Sequence, residues 1–305
     1  MNISDASLPG DITMLDKASL ICTLVMLWMC LCGIIGNMLS LYIYSCSSFR
    51  NCSINILLAA LSASDLFLCI LAIPVFSLPQ IQQYFADLSR YISGNIVIYA
   101  YPVTLMFQSL SVWLLVSITI DRYLAVCHPF TARIYCTKKR AWQIVIIIIA
   151  FSIAYNFVRF WEFRIDESAE YLLFQESIVP KLRSNPMFML LYQNIATLLT
   201  QFFIPLILLF YLNLHVAQTI LVATEQRKKL VASERREYSI AKMMICIVIV
   251  FIFCYTLSMV LNLIEVFNGE LFRQPIGYLL NDVNNILVVI NSSSSFIFYI
   301  KYSTR

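Results

Sequence analysis

An uncharged run from residue 96 to residue 120 constrains the fold of this chain more than any other stretch of its sequence. A helix needs about 20 apolar residues to cross a bilayer, so this run is long enough to do so. Asp121, Arg122 and Tyr123 follow at once, at the place where such a helix would enter water. Polar residues recur inside the run at helical spacing, on a stripe that continues to Arg122: Thr104, Gln108 and Ser111. Because polar groups within a bilayer face protein rather than lipid, this stripe predicts a helix surrounded by other helices.

The composition favours a membrane protein along the whole chain. Hydrophobic residues make up 60% of it and charged residues 12%, whereas soluble domains contain about 25% charged residues. Apolar segments of spanning length occur at 18–46, 52–79, 96–120, 140–161, 186–222, 239–267 and 275–302. We therefore predict an all-α membrane protein in which seven transmembrane helices form a bundle.

The distribution of basic residues predicts the orientation of these helices. If the amino terminus is outside, most of the 21 Lys and Arg residues fall in the inner connections, in agreement with the positive-inside rule. The acidic residues are then concentrated on the outer half, and both Arg159 and Glu162 count among its charges. This orientation makes 1–17 an extracellular tail, 18–302 the transmembrane domain and 303–305 a short cytoplasmic end. Asn2 begins an Asn-Ile-Ser sequence on the outer side, where it would be a glycosylation site.

Sequence signatures of catalysis are absent from the chain. It contains no His-Glu-x-x-His motif, no Gly-x-Ser-x-Gly motif and no glycine-rich phosphate loop. Its only histidines, His128 and His215, both fall at inner helix ends. We therefore predict that the protein is not an enzyme, and that it associates with the lipid bilayer and not with nucleic acid. Repeated halves, which many transporters show, are also absent from the sequence.

Landmark residues occur at matching depth and order in the predicted spans. They are Gly36 with Asn37, Leu61 with Asp65, Asp121-Arg122-Tyr123, Pro205, Phe251 with Cys254, and Tyr299. With seven spans, they resemble the rhodopsin-like G-protein-coupled receptors over nearly the whole chain. The phrases YPVTLMFQSLSVWL, YNFVRFWEF and ILVVINSSSSFIFY further resemble FMRFamide-type neuropeptide receptors of invertebrates. The resemblance implies a multi-pass protein of the plasma membrane whose partner is a heterotrimeric G protein.

The chain departs from the family pattern at several places, of which three affect the sixth and seventh helices and the outer loop. The seventh-helix Asn-Pro-x-x-Tyr sequence is replaced by one that begins at Ser295 and contains neither Asn nor Pro. Leu257 stands where the sixth helix usually has proline, so a proline kink is not expected there. The family's outer disulfide is also missing, because Val97 stands near the third-helix position and residues 162–186 contain no cysteine. We therefore expect an outer loop that is less constrained than usual.

The resemblance implies an activation switch at the inner end of the bundle. Its residues are Asp121, Arg122, Tyr123, Glu237 and Tyr299. In the family the arginine pairs with the adjacent acid and with an acid at the inner end of the sixth helix, where Glu237 stands in this sequence. The alternative is an interfacial arginine whose head group reaches the lipid headgroups.

The resemblance also implies an internal sodium site. The matching residues are Asn37, Asp65, Ser111, Asn291, Ser292 and Ser295, with Asp65, Ser111 and Asn291 as the candidate ligands. Oxygen ligands of this kind suit a hard cation. Apart from this ion we predict no cofactor. The alternative is a hydrogen-bonded hub without an ion, because a buried acid within a span is costly unless it has polar partners.

A second polar group of residues lies toward the outer half of the predicted bundle. Helical spacing places Tyr255, Ser258, Asn262 and Glu265 on one face of the sixth span, and Asp282 and Asn285 on one face of the seventh. With Thr104 and Gln108 they would line a pocket that opens outward. Two acids beside aromatic residues would suit the Arg-Phe-amide end of a basic peptide, since guanidinium binds carboxylate through two hydrogen bonds. The alternative is that both acids face water.

These patterns together favour a receptor that is activated by a short amidated, basic peptide and signals through a G protein. Two alternatives remain open at this point. One is a chemosensory receptor for small odorants, and the other, from a different class, is a transporter or channel for small molecules.

Overall fold

The computed structural model describes residues 14–46, 52–77, 93–165, 178–226, 232–268 and 274–303. We number the long helices of the bundle from first to seventh. They begin and end at Met14–Ser45, Ser53–Ala72, Ser93–Cys127, Lys138–Asn156, Ile204–Gln226, Ala232–Phe267 and Pro275–Ser303. A short helix, Pro129–Tyr135, lies between the third and fourth. Strands β1 (Phe163–Ile165) and β2 (Ile178–Pro180) form an antiparallel hairpin between the fourth and fifth.

The apolar segments of the sequence correspond to these helices. Among the described residues, five helices are long and apolar enough to cross a membrane, and the sixth contains a shorter apolar segment, Ile245–Leu261. The first helix begins at Met14 and the sixth at Ala232, earlier than hydropathy places them. Hydropathy detects only the apolar part of a helix, so it misses turns that continue into a polar stretch.

Two prolines lie where the regular helices give way to wider turns. Pro205 has no backbone N–H, and its ring crowds the carbonyl four residues earlier. The chain before it adopts wide π turns over Phe188–Ala196 and Leu198–Phe203, which we count as the first part of the fifth helix. The second helix likewise ends in a π turn, Ile73–Ser77, which contains Pro74. The sixth helix, with Leu257 in place of proline, is one uninterrupted α-helix, as the sequence predicted.

The third helix occupies the middle of the bundle. It packs against the second, fourth and fifth helices, while the first packs against the second and seventh. Its side chains Val112, Leu114 and Ile118 belong to the main buried cluster, together with Leu61 of the second helix and Phe251 of the sixth. A core of this kind holds the polar residues of the third helix at fixed depths.

Glycine allows the first and seventh helices to approach closely. A Cβ atom at Gly36 would collide with the ring of Phe296, and one at Gly33 would collide with the Ser293 hydroxyl. Small residues at such contacts let helix backbones pack tightly within a membrane. This contact brings Asn37 of the first helix within reach of the seventh.

Candidate ligand and switch sites

Asp121 holds Arg122 near the carboxyl end of the third helix. Arg122 Nη2 donates to Asp121 Oδ2 at 2.7 Å, and the Ser53 hydroxyl donates to Asp121 Oδ1, also at 2.7 Å. One buried carboxylate therefore binds the arginine and joins the start of the second helix to the third. The side chains of Glu237 and Tyr299 lie outside the described residues, so their part in the predicted switch stays a prediction.

Tyr123 lies between the two histidines of the chain. Its hydroxyl is 3.0 Å from His128 Nε2, and its ring meets His215 of the fifth helix edge-on. Nearby, between the short helix and the fourth, burial and the neighbouring Asp121 raise the pKa of the Cys136 thiol to about 11. This thiol is therefore protonated at neutral pH and is a poor nucleophile, because the thiolate is the reactive form.

Asp65 lies deep in the bundle, and its carboxylate is bound by the third helix. The residue is 0% exposed, and the Ser111 hydroxyl donates to Asp65 Oδ1 at 2.6 Å. Asn291 and Ser292 of the seventh helix are also buried, and Asn37 Nδ2 donates to the Ser292 carbonyl at 3.1 Å. The carboxylate, hydroxyl and amide oxygens are of the type that sodium accepts.

The serine after this group adds a contact that sequence reasoning missed. The Ser293 hydroxyl donates to the Met29 carbonyl of the first helix at 3.0 Å. The run of four serines from Ser292 was the available signal, because neighbouring hydroxyls on a helix point to different partners. The side chain of Ser295, which the sequence also assigned to this group, lies outside the described residues.

Thr104, Gln108 and Tyr255 are all inside the bundle. Thr104 is buried, and its hydroxyl donates to the Ala100 carbonyl of its own helix at 2.9 Å. Gln108 of the third helix makes a side-chain hydrogen bond with Tyr255 of the sixth. The Tyr255 ring stacks on Phe251 with centroids 4.6 Å apart. The predicted outer pocket therefore has a polar bridge between the third and sixth helices above an aromatic pair.

The seventh helix divides its polar residues between two neighbours. Ser258 of the sixth helix donates to Asn284 Oδ1, whereas the Ser19 hydroxyl of the first helix donates to Asp282 Oδ2. Asn285 is half-buried. Asp282 is thus bound at the contact between the first and seventh helices. Asn262 and Glu265 lie in the sixth helix, but their side chains are outside the described residues.

A family model decides what this bundle is. The model for the 7 transmembrane receptor (rhodopsin family) matches residues 36–299. The chain belongs to this receptor family. The predicted family and the seven-helix fold are thereby confirmed, and a receptor, rather than a transporter, is the class that the match supports.

Individual receptors are similar to this receptor along most of its length. The FMRFamide peptide receptor frpr-18 of Caenorhabditis elegans is 33% identical over 280 residues, which cover 90% of this chain and 65% of the worm protein. The FMRFamide receptor of Drosophila melanogaster is 33% identical over 279 residues, which cover 90% of this chain and 50% of the fly protein. The human thyrotropin-releasing hormone receptor matches a smaller part: it is 29% identical over 145 residues, which cover 47% of this chain and 34% of the human protein. The resemblance to FMRFamide-type receptors is thus confirmed.

The receptor also buries polar residues that sequence reasoning did not assign to any site. Arg159 and Glu162 were counted as charges of the outer half, yet Arg159 is only 4% exposed and Glu162 is fully buried. On the fifth helix, both amide atoms of Gln201 are buried without a hydrogen-bond partner among the described residues. The i,i+3 spacing of Arg159 and Glu162 was a signal for the ion pair, whereas Gln201 had none.

Proposed function

We propose that this receptor lies in the plasma membrane, binds a short amidated peptide ending in Arg-Phe, and activates a heterotrimeric G protein. The similarity to two receptors named for FMRFamide, each 33% identical over 90% of the chain, carries the proposal. The chain spans only 65% and 50% of their lengths. The ligand and the partner are therefore proposals for this chain, and they rest on its own residues as well as on the similarity.

The interior of the bundle is chemically suited to such a peptide end. The Gln108–Tyr255 bridge lies beside the Phe251 ring. Both aromatic residues are buried in the structure, so the helices have to separate there before a peptide end can contact them. A phenylalanine ring would pack edge-on or offset against these aromatic residues. The outer excess of acidic residues would attract the arginine before contact is made.

The direct test uses cells that express the receptor together with a reporter G protein. Peptides ending in Arg-Phe-amide are expected to give a saturable response that cells without the receptor do not show. A panel of small odorants serves as the comparison for a chemosensory role. The proposal fails if no amidated peptide evokes a response, or if ligand evokes current or uptake in membranes that contain no G protein.

Gln201 is expected to recognise the terminal amide of the peptide. Its buried amide lacks partners among the described residues, and a primary amide presents the same donor and acceptor in return. Phe202, the next residue, belongs to the same buried cluster as Tyr255. An unpaired buried amide costs about 1–3 kcal/mol, which pairing with the peptide would recover.

The prediction for Gln201→Leu is that the amidated peptide loses potency, roughly tenfold, while the free-acid peptide loses little. Dose–response curves for both peptides on both receptors measure this difference. Thr200→Val, which removes a hydroxyl that bonds to its own helix, is the control. An undiminished preference for the amide in Gln201→Leu would exclude Gln201 from amide recognition.

Sodium is expected to lower the affinity of agonist in the parent receptor. The motivation is the buried Asp65–Ser111 pair among oxygen-bearing side chains, since an ion that favours one state of the bundle weakens a ligand that favours the other. Agonist binding measured in sodium and in choline buffer tests this. Asp65→Asn should remove the difference between the buffers. Equal affinities in the parent would leave Asp65 as a hydrogen-bonded hub.

A further inference from the structure

A 3-10 turn, Phe157–Trp161, continues the fourth helix at its outer end. Arg159 in this turn forms an ion pair with Glu162 that is almost completely shielded from solvent. Arg159 is 4% exposed and Glu162 is 0% exposed, and Arg159 Nη1 donates to Glu162 Oε1 at 2.9 Å. Burying two charges carries a desolvation cost of several kcal/mol, which a single contact does not offset. Further hydrogen bonds of the Arg159 guanidinium offset part of this cost.

The remaining donors of Arg159 reach the fifth helix and a residue of its own helix. Nη1 also donates to Gln193 Oε1 at 2.8 Å, Nη2 to Thr197 Oγ1 at 3.4 Å, and Nε to Asn156 Oδ1 at 3.2 Å. Asn156 Nδ2 in turn donates to Ser109 Oγ of the third helix at 2.9 Å. One guanidinium therefore joins the fourth helix to the fifth directly and to the third through Asn156.

The outer hairpin begins and ends at the same ion pair. Glu162 immediately precedes β1, and its carbonyl accepts a hydrogen bond at 2.8 Å from the backbone N–H of Lys181, which immediately follows β2. Phe163, the first residue of β1, places its ring edge-on against Tyr101 of the third helix, with centroids 5.9 Å apart. The residue that closes the base of the hairpin is thus the acid of the buried pair.

No cysteine bridge is present to hold this hairpin. All ten cysteines of the chain are within the described residues, and each is a free thiol. Instead, the base of the two described strands is closed by the hydrogen bond from Lys181 to the Glu162 carbonyl. The expectation of a less constrained outer loop stays a prediction.

We propose that the Arg159–Glu162 pair anchors the outer hairpin to the third, fourth and fifth helices, in the role that a disulfide would otherwise have. Arg159 directs its donors to four protein side chains, so it acts on a ligand through the hairpin rather than by touching it. The pair keeps the outer entrance of the bundle in the shape that an agonist requires. This effect on an agonist rests on the proposed peptide-receptor function, whereas the anchoring of the hairpin does not.

Hydrogen exchange of the purified receptor tests the anchor without any ligand. In Glu162→Gln, which keeps the size of the side chain and removes its charge, peptides containing Phe163–Ile165 and Ile178–Pro180 should exchange roughly tenfold faster, because a broken buried pair leaves an uncompensated charge. Peptides from the first helix should exchange as in the parent. Arg164→Gln is the matched control, because it neutralises an exposed charge on the same hairpin and should change nothing.

Two further measurements make the result decisive. Glu162→Asp keeps the charge on a shorter side chain and should give intermediate exchange, and it replaces Glu162→Gln if that variant does not fold. Dithiothreitol should leave hairpin exchange in the parent unchanged, since no disulfide is broken. The proposal is overturned if hairpin exchange in both Glu162 variants equals that of the parent, or if dithiothreitol accelerates exchange in the parent hairpin.

Agonist binding then links the anchor to function. The affinity of an Arg-Phe-amide peptide should fall in Glu162→Gln in step with hairpin exchange and stay unchanged in Arg164→Gln. Faster hairpin exchange with unaltered affinity would remove the anchor from ligand binding while leaving its structural role intact. If no peptide binds even the parent, the peptide assignment fails, and the exchange result still decides the anchor.

Discussion

Arg122→Ala is expected to abolish G-protein activation while leaving surface expression and agonist binding close to those of the parent. The guanidinium lies near the carboxyl end of the third helix, which the sequence places on the inner side, and it is held by the Asp121 carboxylate at 2.7 Å. A side chain held in this way can exchange its partner when the bundle rearranges, which is how a local ion pair acts as a switch. Nucleotide exchange on a reconstituted G protein, with antibody staining of intact cells, measures both quantities.

Variants of the residues that hold Arg122 in place test the same switch. Asp121→Asn should raise basal activity, because it removes the charge that holds Arg122, and Glu237→Ala should do the same if that acid is the second partner. Ser53→Ala is the control, since it removes one hydrogen bond to the Asp121 carboxylate, worth about 1.5–3 kcal/mol, and leaves the charge that holds Arg122. Normal signalling by Arg122→Ala would show that the switch assignment is wrong.

Glu265→Gln is expected to lower the potency of an Arg-Phe-amide peptide much more than that of the same peptide with citrulline in place of arginine. A charge-assisted hydrogen bond between guanidinium and carboxylate contributes about 1.5–3 kcal/mol, which corresponds to roughly 10- to 100-fold in affinity. Citrulline keeps the shape of arginine without its charge. Competition binding of both peptides to parent and variant gives the selective loss directly.

The structure distinguishes Asp282 from Glu265 in this experiment. Because the Ser19 hydroxyl of the first helix donates to Asp282, Asp282→Asn also perturbs the contact between the first and seventh helices. Ser19→Ala is the matched variant that alters this contact without removing a charge. If Asp282 binds the peptide arginine, Asp282→Asn reproduces the selective loss and Ser19→Ala does not. Equal losses for both peptides in every acid variant would remove these acids from the binding site.

The polar stripe of the third helix was predictable because helical period and hydropathy are local properties. Thr104 and Ser111 are both buried in the structure, as the spacing from Thr104 to Arg122 predicted. The buried acid of the second helix could be found in the same way, since a single Asp65 within an apolar run stands out. Both inferences depend only on residues within a few helical turns of one another.

Contacts between distant parts of the chain were not predictable from local pattern. Ser19 and Asp282 are 263 positions apart, and nothing near either residue in sequence indicates the other. Arg159 and Glu162 were placed among the outer charges because hydropathy assigns charged residues near a span end to water. Hydropathy takes no account of hydrogen-bond partners such as Gln193 and Asn156, which offset the cost of burying these charges.

The uninterrupted sixth helix sets how far movement at one end is carried to the other. A helix that is interrupted at a hinge can bend there and absorb a displacement, whereas a continuous helix transmits the displacement along its length. Phe251 is fully buried, so we take it as the point about which the helix tilts. The segment from Phe251 to Ala232 is about 28 Å long at 1.5 Å per residue. A tilt of about 10° would therefore move the helix end at Ala232 by about 5 Å, roughly the rise of one helical turn, without any bend in the helix.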